Sequence, residues 1–353
     1  MFKRINRDLL VVFLAIAVVT AGLSRVYGAL VLQFLVNGLV VGSIYVLGAT
    51  GLSLVFGIRK FANFAHGEMM TFGAYMAYLA NVYWFLNILW GLVFAVFATA
   101  VLGMLLELLV FRKLAARGPV AALVASIGIT IFLSNLVELS FGTSITGYNL
   151  RIALNWVLIS EGGAPILTIN PVKGAATLVV STILIVLLHI MLRYTTLGRA
   201  MRATADNMDL ARASGINVRN VILWTWAIAG ALAAIAGVLL GIANDVRPAL
   251  GFNVLLFVFA AVIIGGLGSP YGAMLGGFIV GIAQELSVPP LVWLGRPEVA
   301  SLPNPTAYSP IAAFLIMILV LLLRPGGLAH GKVMVLRTHA GLRLPKIFTK
   351  GGG

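Results

Sequence analysis

Residues 193–220 read RYTTLGRAMRATADNMDLARASGINVRN and lie between two long apolar runs. The stretch holds five arginines and two aspartates, whereas residues 174–192 and 221–243 hold no Asp, Glu, Lys or Arg. Apolar runs of about 20 residues are typical of helices that cross a bilayer, and the polar segments between them stay in water. The stretch is therefore predicted to be a loop between two membrane spans. The side of the membrane on which this loop lies fixes the direction in which the two adjacent spans cross.

Inside this loop we predict a short helix that begins after Asn207 and ends before Gly215. Asn207 suits the N-cap, and Asp209 suits the first turn, where the helix dipole favours negative charge. Glycine suits the left-handed residue that follows a last turn. Two turns of helix are not stable alone, so this helix needs a partner surface. Four side chains would form its docking face: Met208, Leu210, Ala211 and Ser214.

The alternative is an ordinary basic cytoplasmic loop that lies on lipid headgroups. The composition of the whole chain decides its class but leaves this choice open. Of 353 residues, 61% are hydrophobic and only 10% are charged, which a soluble domain of this size does not accommodate. The apolar runs are continuous and do not alternate, so they do not fit strands of a membrane β-barrel. We therefore predict an all-α polytopic membrane protein.

Ten spans are predicted, some of them short or broken, and both termini then lie on one side. Of the 24 lysines and arginines, nineteen fall on that side and four on the other, with Lys173 at a span edge. The positive-inside rule makes the terminus side cytoplasmic, and the net charge of +14 needs no nucleic acid to explain it. The first run is expected to be an uncleaved helix. The spans are 9–23, 30–57, 64–86, 88–110, 120–141, 174–192, 221–243, 254–267, 272–287 and 309–323.

The eighth and ninth spans are short and meet at residues 265–272, GGLGSPYG. A Gly/Pro break between short apolar segments indicates bent or half-length helices around a pathway. The alternative is a plain tight hairpin. On the first interpretation, Gly265, Gly266 and Gly268 are candidate path residues.

Residues 63–68, NFAHGE, form the most polar patch at the start of a span. Asn63 is predicted to cap that span, and it is also a candidate gate or path residue. His66 and Glu68 either line a cytoplasmic gate or fix the turn at 59–60 by an ion pair. They lack the further ligands that zinc needs, the chain has no cysteine, and no phosphate-binding loop is present. We therefore expect no metal, no cofactor and no ATP hydrolysis by this chain.

Four glutamates lie inside predicted spans, each within a few residues of a span end. An ionisable residue in a membrane suggests a function, but at a span end it also reaches the interface. We favour interfacial or structural roles over proton carriage. The scarcity of charge near span centres suits a solute without net charge. These residues are Glu68, Glu107, Glu138 and Glu285.

Several motifs together resemble the permeases of branched-chain amino acid ABC transporters. They are NFAHGE at 63–68, GRAMRATADN at 198–207, GGLGSPYGA at 265–273 and RPGGL at 324–328. The resemblance implies a bacterial inner-membrane importer. Its partners would be a second permease that forms a heterodimer with this chain, two ABC ATPase subunits and a periplasmic substrate-binding protein. It also makes the short helix a coupling helix that an ATPase subunit grips. The implied coupling residues are Arg202, Asn207, Met208, Leu210, Ala211, Ser214 and Gly215.

The resemblance covers about residues 30–328. We predict a transmembrane permease domain, residues 1–328, followed by a basic cytoplasmic tail, residues 329–353. Permeases of urea and short-chain amide importers are similar, so the solute stays open between these and branched-chain amino acids. A proton-coupled secondary carrier that uses Glu68 or Glu138 is the alternative from another class. A membrane enzyme is disfavoured because nucleophile and metal constellations are missing from the sequence.

Overall fold

A computed structural model of the chain describes residues 2–151, 153–161, 164–296, 299 and 303–328. It confirms the all-α membrane class, with one small hairpin of strands in addition. The elements are α1 (Phe2–Tyr27), α2 (Leu30–Arg59), α3 (Ala65–Tyr78), α4 (Ile88–Leu106), α5 (Arg112–Leu114), α6 (Pro119–Phe141), β1 (Trp156–Glu161), β2 (Ala164–Ile169), α7 (Ala176–Tyr194), α8 (Thr196–Asp206), α9 (Met208–Ala213), α10 (Val218–Ala243), α11 (Leu250–Gly265), α12 (Pro270–Leu286), α13 (Val288–Leu294) and α14 (Pro310–Leu323).

Single π-helical turns, Leu79–Tyr83, Glu107–Phe111 and Pro171–Ala175, extend three of these helices. Each of the ten predicted spans coincides with a helix or a run of helices. Among the described residues, seven such stretches are long and apolar enough to cross a membrane. The remaining three predicted spans correspond to α1, α3 and α11. The number of crossings and the side of the termini stay predictions, and the basic tail at 329–353 lies outside the described residues.

The most extensive contact between helices of the described chain joins α2 to α12, where glycines face each other. A Cβ atom placed on Gly38 would lie 2.8 Å from the Cα atom of Ile282, and one on Gly42 would lie 3.1 Å from that of Phe278. On the other helix, Gly281 lies against the backbone of Gly42. Small residues at this spacing let two helix backbones approach, as the Gly38/Gly42 pair predicts.

The most buried of the seven long stretches is α10, which packs against α2, α3 and α4. Its sequence is rich in Ala and Gly, so its neighbours reach its backbone. Gly230 lies against Thr99 of α4, and Gly237 lies against Met70 of α3. The centre of the bundle is therefore a helix that begins next to the polar loop at 193–220 and ends on the opposite side.

Turns that the count of basic residues assigns to the same side of the membrane lie close together in the structure. Gly57, at the end of α2, packs on Gly268, and the backbone N–H of Leu328 donates to the carbonyl of Ile264 at 2.9 Å. On the other side, Thr146 and Val246 exchange two backbone hydrogen bonds of 2.8 Å. The alternation of loops along the chain is thus reproduced in space.

The connection from 142 to 170 covers that second side of the bundle. Its strands β1 and β2 pair antiparallel and were not predicted from the sequence. The N–H of Thr168 donates to Oε1 of Gln33 on α2 at 2.8 Å. The Tyr148 hydroxyl donates to the carbonyl of Ala74 at 3.0 Å, and burial raises the pKa of Tyr148, so that proton is retained. The connection is therefore fastened to the bundle.

Candidate functional site

The polar loop between α7 and α10 forms two helices. The short helix predicted after Asn207 is α9, and Oδ1 of Asn207 accepts from the N–H of Asp209 at 3.1 Å and of Leu210 at 2.9 Å. Asp209 lies in the first turn and pairs with Arg212 at 3.2 Å. Gly215 has a φ of +82°. The predicted cap and the predicted left-handed end are both confirmed.

The predicted docking face needs a correction at one residue. Ala211 is only 3% exposed because it packs into the core of the chain, so it fixes α9 to the bundle and offers no free surface. Leu210, in contrast, is 65% exposed, and Ser214 is exposed beside it. Met208 is half-buried. The free side of α9 is therefore centred on Leu210.

The other helix of this loop, α8, was not separated from α9 in the sequence analysis. Thr195 caps it by accepting from the N–H of Gly198 at 3.1 Å. Gly198 lies against the backbone of Leu192, where a Cβ atom would come within 2.6 Å of its Cα atom. Arg202, a predicted coupling residue, is exposed and donates to the carbonyl of Leu192. These contacts hold α8 against the end of α7.

An ion cluster lies at the same side of the molecule. Glu107 is buried in the π-helical turn after α4, and its carboxylate pairs with Arg59 at the end of α2, including an Nε–Oε2 contact of 3.2 Å. Arg112 of α5 lies 3.9 Å from it. Arg59 is thus held by Glu107, and the predicted ion pair of the 59–60 turn with His66 or Glu68 is wrong. Glu107 is interior, not interfacial.

The NFAHGE residues are buried at the start of α3. Asn63 does not cap that helix, because its side-chain amide has no hydrogen-bond partner among the described residues. Nε2 of His66 bonds to the carbonyl of Gly48 on α2 at 2.9 Å, while its Nδ1 lacks a described partner. Glu68 also has an unpartnered oxygen there. Such buried polar atoms require water or a second arrangement of the chain. Asn63, His66 and Glu68 do not line the cavity described below.

The glycine-rich segment between α11 and α12 forms a tight hairpin. This was the second of the two interpretations of residues 265–272, the first being bent or half-length helices around a pathway. Gly266 and Gly268 have φ values of +108° and +80°, which favour glycine, and Gly265 lies against the backbone of Gly272. Gly327 packs on Gly266 from the RPGGL segment. These glycines close a turn and do not border the large cavity. With 16 residues, α11 is about 24 Å long, shorter than a bilayer core of about 30 Å.

The large cavity opens on the other side of the molecule and has a volume of about 550 Å³. The sequence analysis did not predict this cavity. The available signal was the presence of polar residues at the ends of several predicted spans. Parts of α2, α10, α11 and α12 and the segment after β2 form the cavity wall. The lining residues that carry the argument below are Gln33, Asn37, Tyr45, Arg247, Phe257 and Glu285.

Aromatic rings close the cavity toward the middle of the molecule. Tyr45 stacks on Phe257 with ring centres 5.4 Å apart, and Phe257 stacks on Phe314 of α14 at 5.6 Å. The Tyr45 hydroxyl donates to Oε1 of Gln284 on α12 at 2.9 Å. The floor is thus built by four helices whose relative positions set the depth of the cavity.

Two helices connect the cavity to the opposite side. The helix α2 runs from Gln33 in the cavity wall to Arg59 in the ion cluster. The helix α10 begins three residues after Gly215 and ends in the cavity wall at Ala243. The helix α10 is therefore a continuous element between the α8–α9 segment and the cavity wall.

Comparisons with known proteins agree with this architecture. Residues 34–321 match the family described as branched-chain amino acid transport system / permease component. The chain is 35% identical to the high-affinity branched-chain amino acid transport system permease protein LivH of Escherichia coli strain K12, over 84% of this chain and 94% of that one. It is 34% identical to LivH of Salmonella typhimurium, with the same coverage. It is 35% identical to the permease protein BraD of Pseudomonas aeruginosa, over 84% of this chain and 95% of that one.

Proposed function

Because this chain belongs to the family of permease components of branched-chain amino acid transport systems, we propose that it is a transmembrane subunit of an ATP-binding-cassette importer. The solute is a branched-chain amino acid, as the names of the relatives state for those proteins. The chain forms part of the translocation path and does not hydrolyse ATP. ATP is hydrolysed by partner subunits.

The observation that carries this proposal is the capped helix α9 with its free leucine. A six-residue helix has little stability of its own, yet Asn207, Gly215 and the buried Ala211 hold it in place. Its outer side presents Leu210, a large apolar residue at 65% exposure. Exposed apolar anchors of this kind fit a groove on a partner protein. The partner is an ABC ATPase subunit on the cytoplasmic side.

The remaining partners follow from the same function. A second permease subunit completes the path in the inner membrane, and a periplasmic substrate-binding protein delivers the solute to the side on which the 550 Å³ cavity opens. ATP binding moves α9, and α10 carries that movement to the cavity wall. The path alternates between the two sides in this way. The basic tail at 329–353 lies on anionic lipid headgroups.

Uptake of labelled leucine and labelled urea tests the function directly. Cells would express this chain with its second permease and with or without the ATPase and binding-protein partners. We expect leucine uptake only when all partners are present. Urea uptake in its place would keep the mechanism and correct the solute to urea or a short amide. Uptake by the chain alone, abolished by a protonophore, would replace the proposal by a secondary carrier that uses Glu68 or Glu138.

A further inference from the structure

We propose that the 550 Å³ cavity is a binding site for a zwitterionic aliphatic amino acid, with Glu285 facing the ammonium group and Arg247 facing the carboxylate. This inference rests on the proposed function and adds to it a site within this chain. Binding sites for small molecules fall between about 300 and 1,000 Å³, and they join apolar walls to a few polar groups. The cavity has both properties.

Most polar side chains of the lining already have partners within the protein. Gln33 accepts from the N–H of Thr168 and donates to Oδ1 of Asn37 at 2.9 Å. Nδ2 of Asn170 donates to Oδ1 of Asn155 at 2.9 Å. These groups shape the wall, and their hydrogen bonds leave them less available to a solute.

Two other lining groups are also committed. Gln284 accepts from Tyr45 at the floor, and Nζ of Lys173 donates to the carbonyl of Ala243 at 3.4 Å. Gln284 therefore holds the floor in place. Lys173 is a cation fixed at the rim by the end of α10.

Four lining side chains have no hydrogen bond or ion pair within the described part of the chain: Asn244, Arg247, Asn253 and Glu285. Glu285 is the only acidic residue of the lining, and it sits on α12 next to Gln284. Arg247 enters from the segment between α10 and α11, so the two charges come from different walls. A solute that carries both charges is complementary to this pair, whereas an anion or a cation alone meets one unfavourable charge.

The rest of the wall is aliphatic and aromatic. These apolar residues exclude water from the side chain of a solute. They carry no charge, so they do not bind a charged side chain. The Tyr45–Phe257 stack ends the cavity, and Glu285 follows Gln284 at this floor. The ammonium group of the solute is therefore placed near the floor, its carboxylate toward Arg247 and its side chain along the apolar wall. A branched aliphatic side chain gains the most from this arrangement, since its burial is favourable in proportion to its apolar area. The aliphatic wall residues include Val36, Val40, Val41, Ile44, Leu240 and Val254.

The test uses the complete transporter, reconstituted in proteoliposomes with its partner subunits and binding protein, and measures initial rates of labelled leucine uptake. We expect Glu285→Gln and Arg247→Gln each to lower uptake at least tenfold, and Glu285→Asp to retain a substantial part because it keeps the carboxylate. The matched control is Glu138→Gln, which removes a half-buried span carboxylate outside the cavity and is expected to transport as the unaltered protein does. Assembly of every variant with its partners is checked by size-exclusion chromatography.

Uptake at the unaltered rate by assembled Glu285→Gln and Arg247→Gln complexes would overturn the site and leave the importer function intact. A loss in Glu138→Gln as large as in Glu285→Gln would also overturn it, since the effect would then belong to any lost carboxylate. Failure of the unaltered complex to take up leucine while it hydrolyses ATP contradicts the proposed function itself. The two proposals thus fail in different experiments.

Discussion

Glu107 joins the ion cluster on the side of the molecule where α8 and α9 lie. It is fully buried and compensates Arg59 and, at 3.9 Å, Arg112. We expect Glu107→Gln to lower the free energy of unfolding by about 3 kcal/mol, because removal of one partner leaves buried positive charge without compensation. Thermal melting of the detergent-solubilised protein measures this loss. Trp226 is a suitable fluorescent reporter, since it stacks on Phe111 of the same π-helical turn at 4.8 Å.

Glu138→Gln serves as the control for that melting experiment. Glu138 also lies on a long helix but is only half-buried, so its loss is expected to leave the melting temperature almost unchanged. Equal melting of Glu107→Gln and the unaltered protein would show that the ion cluster does not stabilise the fold.

Leu210 is the residue through which the ATPase contact is most directly tested. We expect Leu210→Glu to reduce co-purification of the ATPase subunit at least tenfold, since a charge replaces an apolar anchor at the centre of a docking surface. Leu154→Glu is the matched control, because Leu154 is another strongly exposed leucine, at 86%, on the opposite side of the molecule. Retained association of the Leu210→Glu variant would remove α9 from the interface.

Single residues also show why some predictions from sequence succeeded. Asn207 and Gly215 were identified correctly because caps and left-handed ends depend on a few adjacent residues. Asn63 has the same capping chemistry but is buried at a contact with distant helices, so a local rule gave the wrong result. Glu107 pairs with Arg59, which is 48 residues away, and no local pattern contains that information.

At the scale of elements, α9 depends on its cap. We expect Asn207→Ala to destabilise this helix by about 1 kcal/mol, and Asn207→Asp to preserve it, since aspartate caps as well as asparagine. Hydrogen exchange of residues 208–214 measures the change, and about fivefold faster exchange is expected for the alanine variant. Equal exchange in all three proteins would mean that packing of Ala211 alone holds the helix.

Elements were predicted better than the contacts between them. The ten apolar runs marked the helices because hydropathy is a property of a continuous segment. The hairpin of β1 and β2 was missed, since its strands are short and pair only with each other. The cavity was missed for a related reason. Its wall takes residues from four helices, and which of their faces meet is decided by packing at glycines such as Gly38 and Gly281.

At the scale of the whole molecule, the predicted orientation of the chain in the membrane can be measured by cysteine labelling without interference from native thiols. The chain contains no cysteine, so single cysteines can be introduced and labelled one at a time. We expect Leu154→Cys to react with a membrane-impermeant thiol reagent from the periplasmic side, and Ser214→Cys to react only after the membrane is opened. Both residues are exposed, so the sidedness of labelling reports topology and not accessibility. The reverse pattern would invert the orientation that the basic residues predict.

The glycine contact between α2 and α12 has a mechanical consequence for the whole bundle. Helices whose side chains interlock resist sliding, because each ridge must leave its groove before it moves. Around Gly38, Gly42 and Gly281 the backbones of the two helices touch directly, and the side chains of Val46 and Phe278 pack across the same contact. Because backbones and side chains fit closely here, the register of α2 on α12 is fixed, and it sets the position of Tyr45 against Gln284 at the cavity floor. The glycine contact thus determines the depth of the cavity.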